Sequence, residues 1–182
     1  MDCVQCTPKY CRSTDSCGAE KFESEQLHEE YKNGTNQKII TAAANLVDDG
    51  RAGKLSRLQE IIEYVKSMNY EKVGLAYCYG MEANAKTLKE IFRLEGIKLI
   101  TVSCTVGGLA QNKVNSLSCN MNVSCNPLGQ AQQLNAEGVP LVILMGICLG
   151  HDIILQRNLA VDFTTFVVKD RVFNHQPMLA LL

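Results

Sequence analysis

From Val73 onward, short aliphatic and β-branched runs alternate with stretches of helical period. That alternation restricts the fold more than any other feature of the chain. The runs Val73–Tyr79, Lys98–Ser103 and Leu141–Ile147 each read as a buried strand, and Phe163–Val168 follows as a fourth, rich in β-branched and aromatic residues. Buried strands separated by helices spell βαβ units around a parallel sheet. The helices between them are well punctuated. Ala83–Glu95 turns Ala85, Leu88, Ile91 and Phe92 inward and stops at Gly96. Asn126–Glu137 has an asparagine cap, Pro127 at its first helical position and Gly138 past its end.

Upstream of the first strand the period is helical throughout. A helix from Ser24 carries Leu27 and Tyr31 four apart and ends at Asn33-Gly34. A second, from about Asn36, places Ile39, Ile40, Ala43, Ala44 and Val47 on one stripe and stops at Asp49-Gly50. Leu55, Leu58, Ile61, Ile62 and Val65 make a third, expected to start loosely at Gly53 and Lys54 without a cap from Ser56. Between Gly107 and Asn122 there is no period, and a loop on the side of the active edge is expected. The expected fold is therefore a three-layer α/β domain over residues 21–182, with a central, mostly parallel sheet of about four strands and flanking helices. It is preceded by a cysteine-rich, metal-binding segment over residues 1–20, whose order must come from a ligand or from docking.

Composition narrows the function classes. A chain of 182 residues with 46% hydrophobic content has enough apolar surface for a real core and needs no staples. The formal net charge of −1, with no basic stripe interleaved with aromatics, argues against nucleic acid as a partner. The start Met1-Asp2-Cys3 has neither a basic nor an apolar leader region. The longest apolar stretch, Val139 to Leu155, is broken by His151 and Asp152 and is too short to span a bilayer. A soluble, cytoplasmic protein is expected. In that compartment nine cysteines stay mostly reduced, and they point to metal binding or thiol chemistry rather than a disulfide framework.

Eight of those nine cysteines fall into two quartets. Cys78, Cys104 and Cys148 each end a strand, and Cys125 opens a helix. Open α/β sheets build their sites at the carboxyl ends of the strands, so these four thiols are expected to meet there. Each of them also has the alternative of being a small buried hydrophobe. Thiolates are soft donors that suit zinc or an iron–sulfur cluster and disfavour magnesium or calcium. Ligands drawn from four separated segments look more like a cluster than a zinc ribbon. The second quartet, Cys3, Cys6, Cys11 and Cys17, spells C-x2-C-x4-C-x5-C, a spacing that fits tetrahedral zinc as well as iron–sulfur. Cys119 has no such context.

Other groups gather at the same edge. Gly146-Ile147-Cys148-Leu149-Gly150 holds a thiol on a sharp turn at a helix start, where it reads as a nucleophile or as a metal ligand. His151 and Asp152 follow it and are candidates to orient a ligand or move a proton, although Asp152 also suits a helix start for its dipole alone. Lys169, Asp170, Arg171 and His175 bring mixed charge to the mouth, for an anionic substrate or as a solvated ion-pair cluster.

The chain also resembles the DUF1847 family of uncharacterised metal-binding proteins, known mainly from anaerobic bacteria and archaea. The resemblance rests on the N-terminal cysteines, on Gly74-Leu75-Ala76-Tyr77-Cys78, on Cys125-Asn126-Pro127 with Gln130-Ala131 and Leu134-Asn135, on Gly146 through Asp152, and on Lys169-Asp170-Arg171-Val172 with His175 and Pro177. It implies metal binding but no particular reaction. The chain departs from the family pattern at Thr105, where lysine is usual, and at Gln176, where asparagine is usual. The first change removes a charge from the expected site.

Two functions are consistent with these residues. One is a zinc or iron–sulfur enzyme of redox or sulfur-transfer chemistry, its cofactor on Cys78, Cys104, Cys125 and Cys148, with a small-molecule or redox partner. The other is a non-enzymatic, metal-dependent sensor or partner-binding module with a structural N-terminal zinc site. The apolar end Met178-Leu179-Ala180-Leu181-Leu182 packs either internally or against a second copy, which leaves homo-oligomerisation open.

Overall fold

The computed structural model describes residues 2–13, 17, 18 and 20–182. By its contacts the chain divides into residues 1–45 and 46–182. In the first unit a short 3-10 turn spans Tyr10–Arg12, helix α1 spans Ser24–Lys32, and helix α2 begins at Gly34 and runs on to Val47 across the division. The Asn33-Gly34 pair does separate two helices. Asn33 Oδ1 accepts the Thr35 N–H at 3.0 Å, which restarts the chain as a helix almost at once.

The second unit begins with helix α3, Arg57–Ser67, and here the expectation about its start is corrected. Ser56 is a full N-cap. Its hydroxyl accepts the Gln59 N–H while the Gln59 side chain accepts the Ser56 N–H, a reciprocal box that satisfies two helix-end donors. Gly53 and Lys54 belong to the preceding turn.

Strands β1 (Lys72–Tyr77), β2 (Lys98–Ser103), β3 (Leu141–Met145) and β4 (Asp162–Val167) form one sheet in the order β2-β1-β3-β4, with every pairing parallel. Helix α4 (Glu82–Leu94) connects β1 to β2, helix α6 (Pro127–Ala136) leads into β3, and helix α7 (His151–Asn158) joins β3 to β4. Side-chain alternation sorts the core into two layers. Val73, Leu75, Leu141, Ile143 and Met145 pack with Ile61, Ile62 and Val65 of α3 and with Ala85, Leu88 and Phe92 of α4. Ala76, Val102, Val142 and Leu144 pack with Ala131 and Leu134 of α6 and Leu155 of α7. Helices thus cover both faces of the sheet, the three-layer α/β arrangement.

Gly74 marks the tightest point of the second layer. A Cβ there would come within 2.8 Å of Leu134 Cδ2, so the missing side chain is what lets α6 lie close on β1.

From β1 the chain moves to β2 on one side, then returns past β1 to β3 and β4 on the other. This reversal opens a crevice beyond the carboxyl ends of β1 and β3, where ligands of such sheets bind. All four strands deliver chemistry-bearing residues to that edge: Cys78, Cys104, Cys148 and Lys169 follow β1, β2, β3 and β4 respectively.

The segment after β2 is more ordered than a plain loop. It contains the short helix α5, Gln111–Val114, and an isolated antiparallel bridge between Ala110 and Val123. Ser124 N–H donates to the Leu109 carbonyl and Gln111 N–H to that of Asn122, both at 2.8 Å. The excursion is therefore pinned at its base, and its two ends, at Cys104 and Cys125, run side by side.

Candidate functional site

The sheet itself fixes the backbone of the site. Its hydrogen bonding continues past the strands: Cys78 N–H donates to the Met145 carbonyl at 3.1 Å, Cys104 N–H to Tyr77 at 2.9 Å, and Gly146 N–H to Val167 at 2.8 Å. Asn126 then locks the returning loop in place. Its N–H donates to the Cys104 carbonyl at 2.6 Å, its side-chain amide donates to Val106 at 3.0 Å, and its Oδ1 caps α6 through Gly129 N–H at 2.9 Å.

Three of the four cysteines meet directly. Cys125 Sγ lies 3.4 Å from Cys104 Sγ, and Cys104 lies against Cys78 within hydrogen-bonding reach. Cys78 and Cys104 are buried at 4% and 2% exposure, whereas Cys125 is half-buried and Cys148 likewise. The Tyr79 N–H donates to Cys104 Sγ at 3.3 Å. Cys148 joins the group through a cation: Arg171 Nη2 is 3.2 Å from its sulfur, and Lys169 Nζ is 3.3 Å from Cys78 Sγ.

These surroundings set the thiols apart. Burial works to raise the Cys78 thiol, but the Gly80 N–H, the Lys169 ammonium and the Cys104 contact outweigh it and hold Cys78 below its ordinary value. Among the described residues no cation acts on Cys104. Burial pushes it up to about 12, against the lowering effect of the Tyr79 N–H, and Cys125 and Cys78 add to the rise. The Cys148 contact raises the Arg171 guanidinium further above its usual value, with smaller contributions from Cys78 and Cys125. Arg171 thus senses three of the four sulfurs from the open side of the crevice.

The remaining expected residues take other positions. Asp152 Oδ1 accepts the Ile153 N–H at 2.8 Å, and its own N–H donates to the Cys148 carbonyl at 3.0 Å, so it shapes the start of α7. His151 Nδ1 is buried without a hydrogen-bond partner among the described residues. Asp170 Oδ1 accepts the Val172 and Phe173 N–H groups at 2.9 Å, while His175 Nδ1 accepts the Asp170 N–H at 3.1 Å. Asp170 and His175 thereby hold the turn that presents Lys169 and Arg171. The apolar end does not pack internally: the 3-10 turn Pro177–Leu181 leaves Met178, Leu181 and Leu182 exposed.

In the N-terminal unit Cys3, Cys11 and Cys17 are exposed and Cys6 is half-buried. Lys9 Nζ donates to the Cys3 carbonyl, and Cys17 Sγ donates to Glu20 Oε2 at 3.1 Å. Among the described residues no group of three or more His, Cys, Asp or Glu, in either quartet, stands arranged to hold a metal ion. Among the described residues Cys78, Cys104 and Cys125 form a chain of contacts between possible donors.

The sequence did not point to the role of Gln130. Fully buried on α6, it donates through Nε2 to the Val102 carbonyl at 2.9 Å and the Tyr77 carbonyl at 3.3 Å, while its Oε1 has no partner among the described residues. It ties the ends of β1 and β2 together directly beneath the cysteines. The available signal was a lone amide on an otherwise apolar stripe with Pro127, Ala131 and Leu134.

Comparisons with known proteins agree with one another in leaving the function open. A family model described as "Protein of unknown function (DUF1847)" matches residues 15–166, a span that includes all four sheet-edge cysteines. The chain is also 38% identical over 178 residues to an uncharacterized protein of Methanocaldococcus jannaschii, covering 96% of this chain and 90% of that protein.

Proposed function

Since the chain belongs to the DUF1847 family, whose description assigns no function, we propose from the geometry that it is a metal-thiolate protein. Its centre is the crevice at the carboxyl edge of the sheet, with Cys78, Cys104, Cys125 and Cys148 as ligands of zinc or an iron–sulfur cluster. The observation that carries this is the 3.4 Å contact between Cys104 and Cys125, at the two ends of the excursion after β2, with Cys78 of the β1 connection against Cys104. Core thiols need no such company. A tetrahedral zinc with bonds of about 2.3 Å sets its sulfurs roughly 3.8 Å apart, so the pair needs to open only slightly to share one ion. The donors are soft, and iron or zinc is the match for them.

A bound centre would supply electron transfer if it is iron–sulfur, or Lewis-acid polarisation if it is zinc. The chain's own residues do the rest. Lys169 stabilises the Cys78 thiolate, and Arg171 places its positive charge beside Cys148 at the open side. Together they attract an anionic substrate, with His151 and Asp152 near the Cys148 turn and Asp170 and His175 fixing the turn that bears both cations. Cys3, Cys6, Cys11 and Cys17 form a second, structural metal site by their spacing. The exposed apolar end is the surface for self-association.

Anaerobic purification followed by iron, sulfide and zinc analysis tests this reading. Metal should accompany the wild-type chain and fall in Cys125→Ser, a half-buried position where the substitution spares the core, but not in Cys119→Ser. If metal is unchanged in Cys125→Ser and lost only in Cys6→Ser, the sheet edge holds none, and the chain is a module with a structural N-terminal knuckle.

A further inference from the structure

Cys104 and Cys125 also meet the requirements for a covalent reaction that needs no metal. Their sulfurs are 3.4 Å apart, and the Asn126 N–H bonds the Cys104 carbonyl at 2.6 Å, so the two backbones run next to each other. A disulfide needs adjacent backbones, with Cα atoms about 4.4–6.8 Å apart and sulfurs at about 2.05 Å, so only a small side-chain rotation separates the pair from a bond. The partners differ in access. Cys125 is half-buried at the end of a surface excursion, and Cys104 is 2% exposed behind it. Cys78, the third sulfur in contact, is buried at 4% and engaged by Lys169.

We infer that Cys104 and Cys125 form a dithiol–disulfide couple that reduces small disulfides, Cys125 attacking the substrate and Cys104 resolving the mixed disulfide. In the first step the Cys125 thiolate sulfur bonds one sulfur of the substrate. The substrate S–S bond breaks, and its other half leaves as a thiolate that takes a proton from solvent. In the second step Cys104 Sγ attacks Cys125 Sγ and its proton passes to solvent, the bond from Cys125 to the substrate sulfur breaks, and the second half leaves as a thiolate that takes a proton from solvent. Two protein thiols are oxidised to one disulfide, and one substrate disulfide is reduced to two thiols. Cys104 suits the resolving role because it is shielded from the substrate and lies in contact with Cys125. The Tyr79 N–H, 3.3 Å from Cys104 Sγ, is placed to stabilise the charge that develops there.

The couple shares two sulfurs with the proposed metal centre, and the two states exclude each other, since a disulfide sulfur offers no thiolate to a metal. It stands on the geometry of the pair whether or not the metal reading holds. The full-length chain, chelator-stripped and reduced under argon, is titrated with oxidised glutathione and read by alkylation and peptide mass mapping. A Cys104–Cys125 link should dominate, with two glutathione molecules released for each. Cys104→Ser should stop at stable glutathionylation of Cys125, while Cys125→Ser should slow modification of Cys104 at least about tenfold. Cys119→Ser should behave as wild type.

A link from Cys104 to Cys78, or from Cys125 to Cys148, would overturn the assignment. So would a surviving dithiol in wild-type protein whose exposed Cys119 has fully reacted. Metal analysis of the same preparations before stripping decides the other question: disulfide formation in protein isolated without metal sinks the metal reading alone, whereas metal lost in Cys125→Ser without any disulfide sinks the couple alone.

Discussion

Replacing Gly146 with alanine probes the turn that carries Cys148 from the end of β3 to the crevice. Gly146 has a φ of +63°, in the left-handed region, which costs a residue with a Cβ about 1–2 kcal/mol. The added methyl group would also fall on Met81 Sδ, with Met81 Cγ at 3.5 Å and Cε at 3.7 Å. Met81 is 8% exposed and packed in the core layer of α3 and α4, so its thioether can move only by disturbing that layer. Overpacking of this kind costs about 1–3 kcal/mol. The sum is about 2–5 kcal/mol. With a urea slope of about 2 kcal/mol/M, a 3 kcal/mol loss lowers the unfolding midpoint by about 1.5 M.

Equilibrium urea unfolding of Gly146→Ala, Met81→Ala and the double variant separates the two costs. The double variant removes the overlap but keeps the backbone strain, so its loss should fall short of the sum of the single losses by about 1–3 kcal/mol. Iodoacetamide labelling of Cys148, read by peptide mass, should change in Gly146→Ala and not in Met81→Ala. Additive losses, or a Gly146→Ala loss under about 1 kcal/mol, would refute the argument.

Other expectations follow from single contacts. Gln130→Leu removes the side-chain donor to the Val102 and Tyr77 carbonyls, while Tyr77 keeps the Cys104 N–H, so losing these buried hydrogen bonds should cost about 0.5–1.5 kcal/mol in the same unfolding assay. Ser56→Ala breaks the capping box of α3 and should cost about 1 kcal/mol, with no change in thiol reactivity at the sheet edge. The thiols make stability pH-dependent in opposite senses. Cys104, raised to about 12 from an ordinary 9.0, contributes stability that is whole below pH 9 and is lost as pH rises toward 12, because the unfolded thiol ionises first. The unfolding midpoint should therefore fall across that range and fall less in Cys104→Ala. Cys78, held below 9.0, contributes stability above that pH and loses it as pH falls through its folded value, so Lys169→Met should weaken the protein more at alkaline than at mildly acidic pH.

How far the sequence reached depended on the range of the interaction. The limits of β2 and the Asn126 cap with Pro127 at the first helical turn were readable, because strand burial and helix capping depend on neighbours a few residues away. Ser56 was misjudged: its serine and Gln59 spell a capping box, but the glycine before them suggested a loose start, and only the reciprocal hydrogen bonds settle the matter. The excursion from Gly107 to Asn122 had no period because a short helix and one β-bridge, Ala110 to Val123, order it.

For the site, the sequence alone determined the donor types and their placement at strand and helix ends, since a parallel βαβ pattern gathers carboxyl ends on one edge. It could not determine which sulfurs touch. Cys104 and Cys125 meet because Asn126 clamps the returning loop, Cys78 and Lys169 meet because β1 and β4 flank β3, and Cys148 reaches Arg171 because Asp170 and His175 shape the turn after β4. Such contacts join residues tens of positions apart through strand order and register. A linear pattern does not encode these distances, so they exist only once the sheet and its loops have closed.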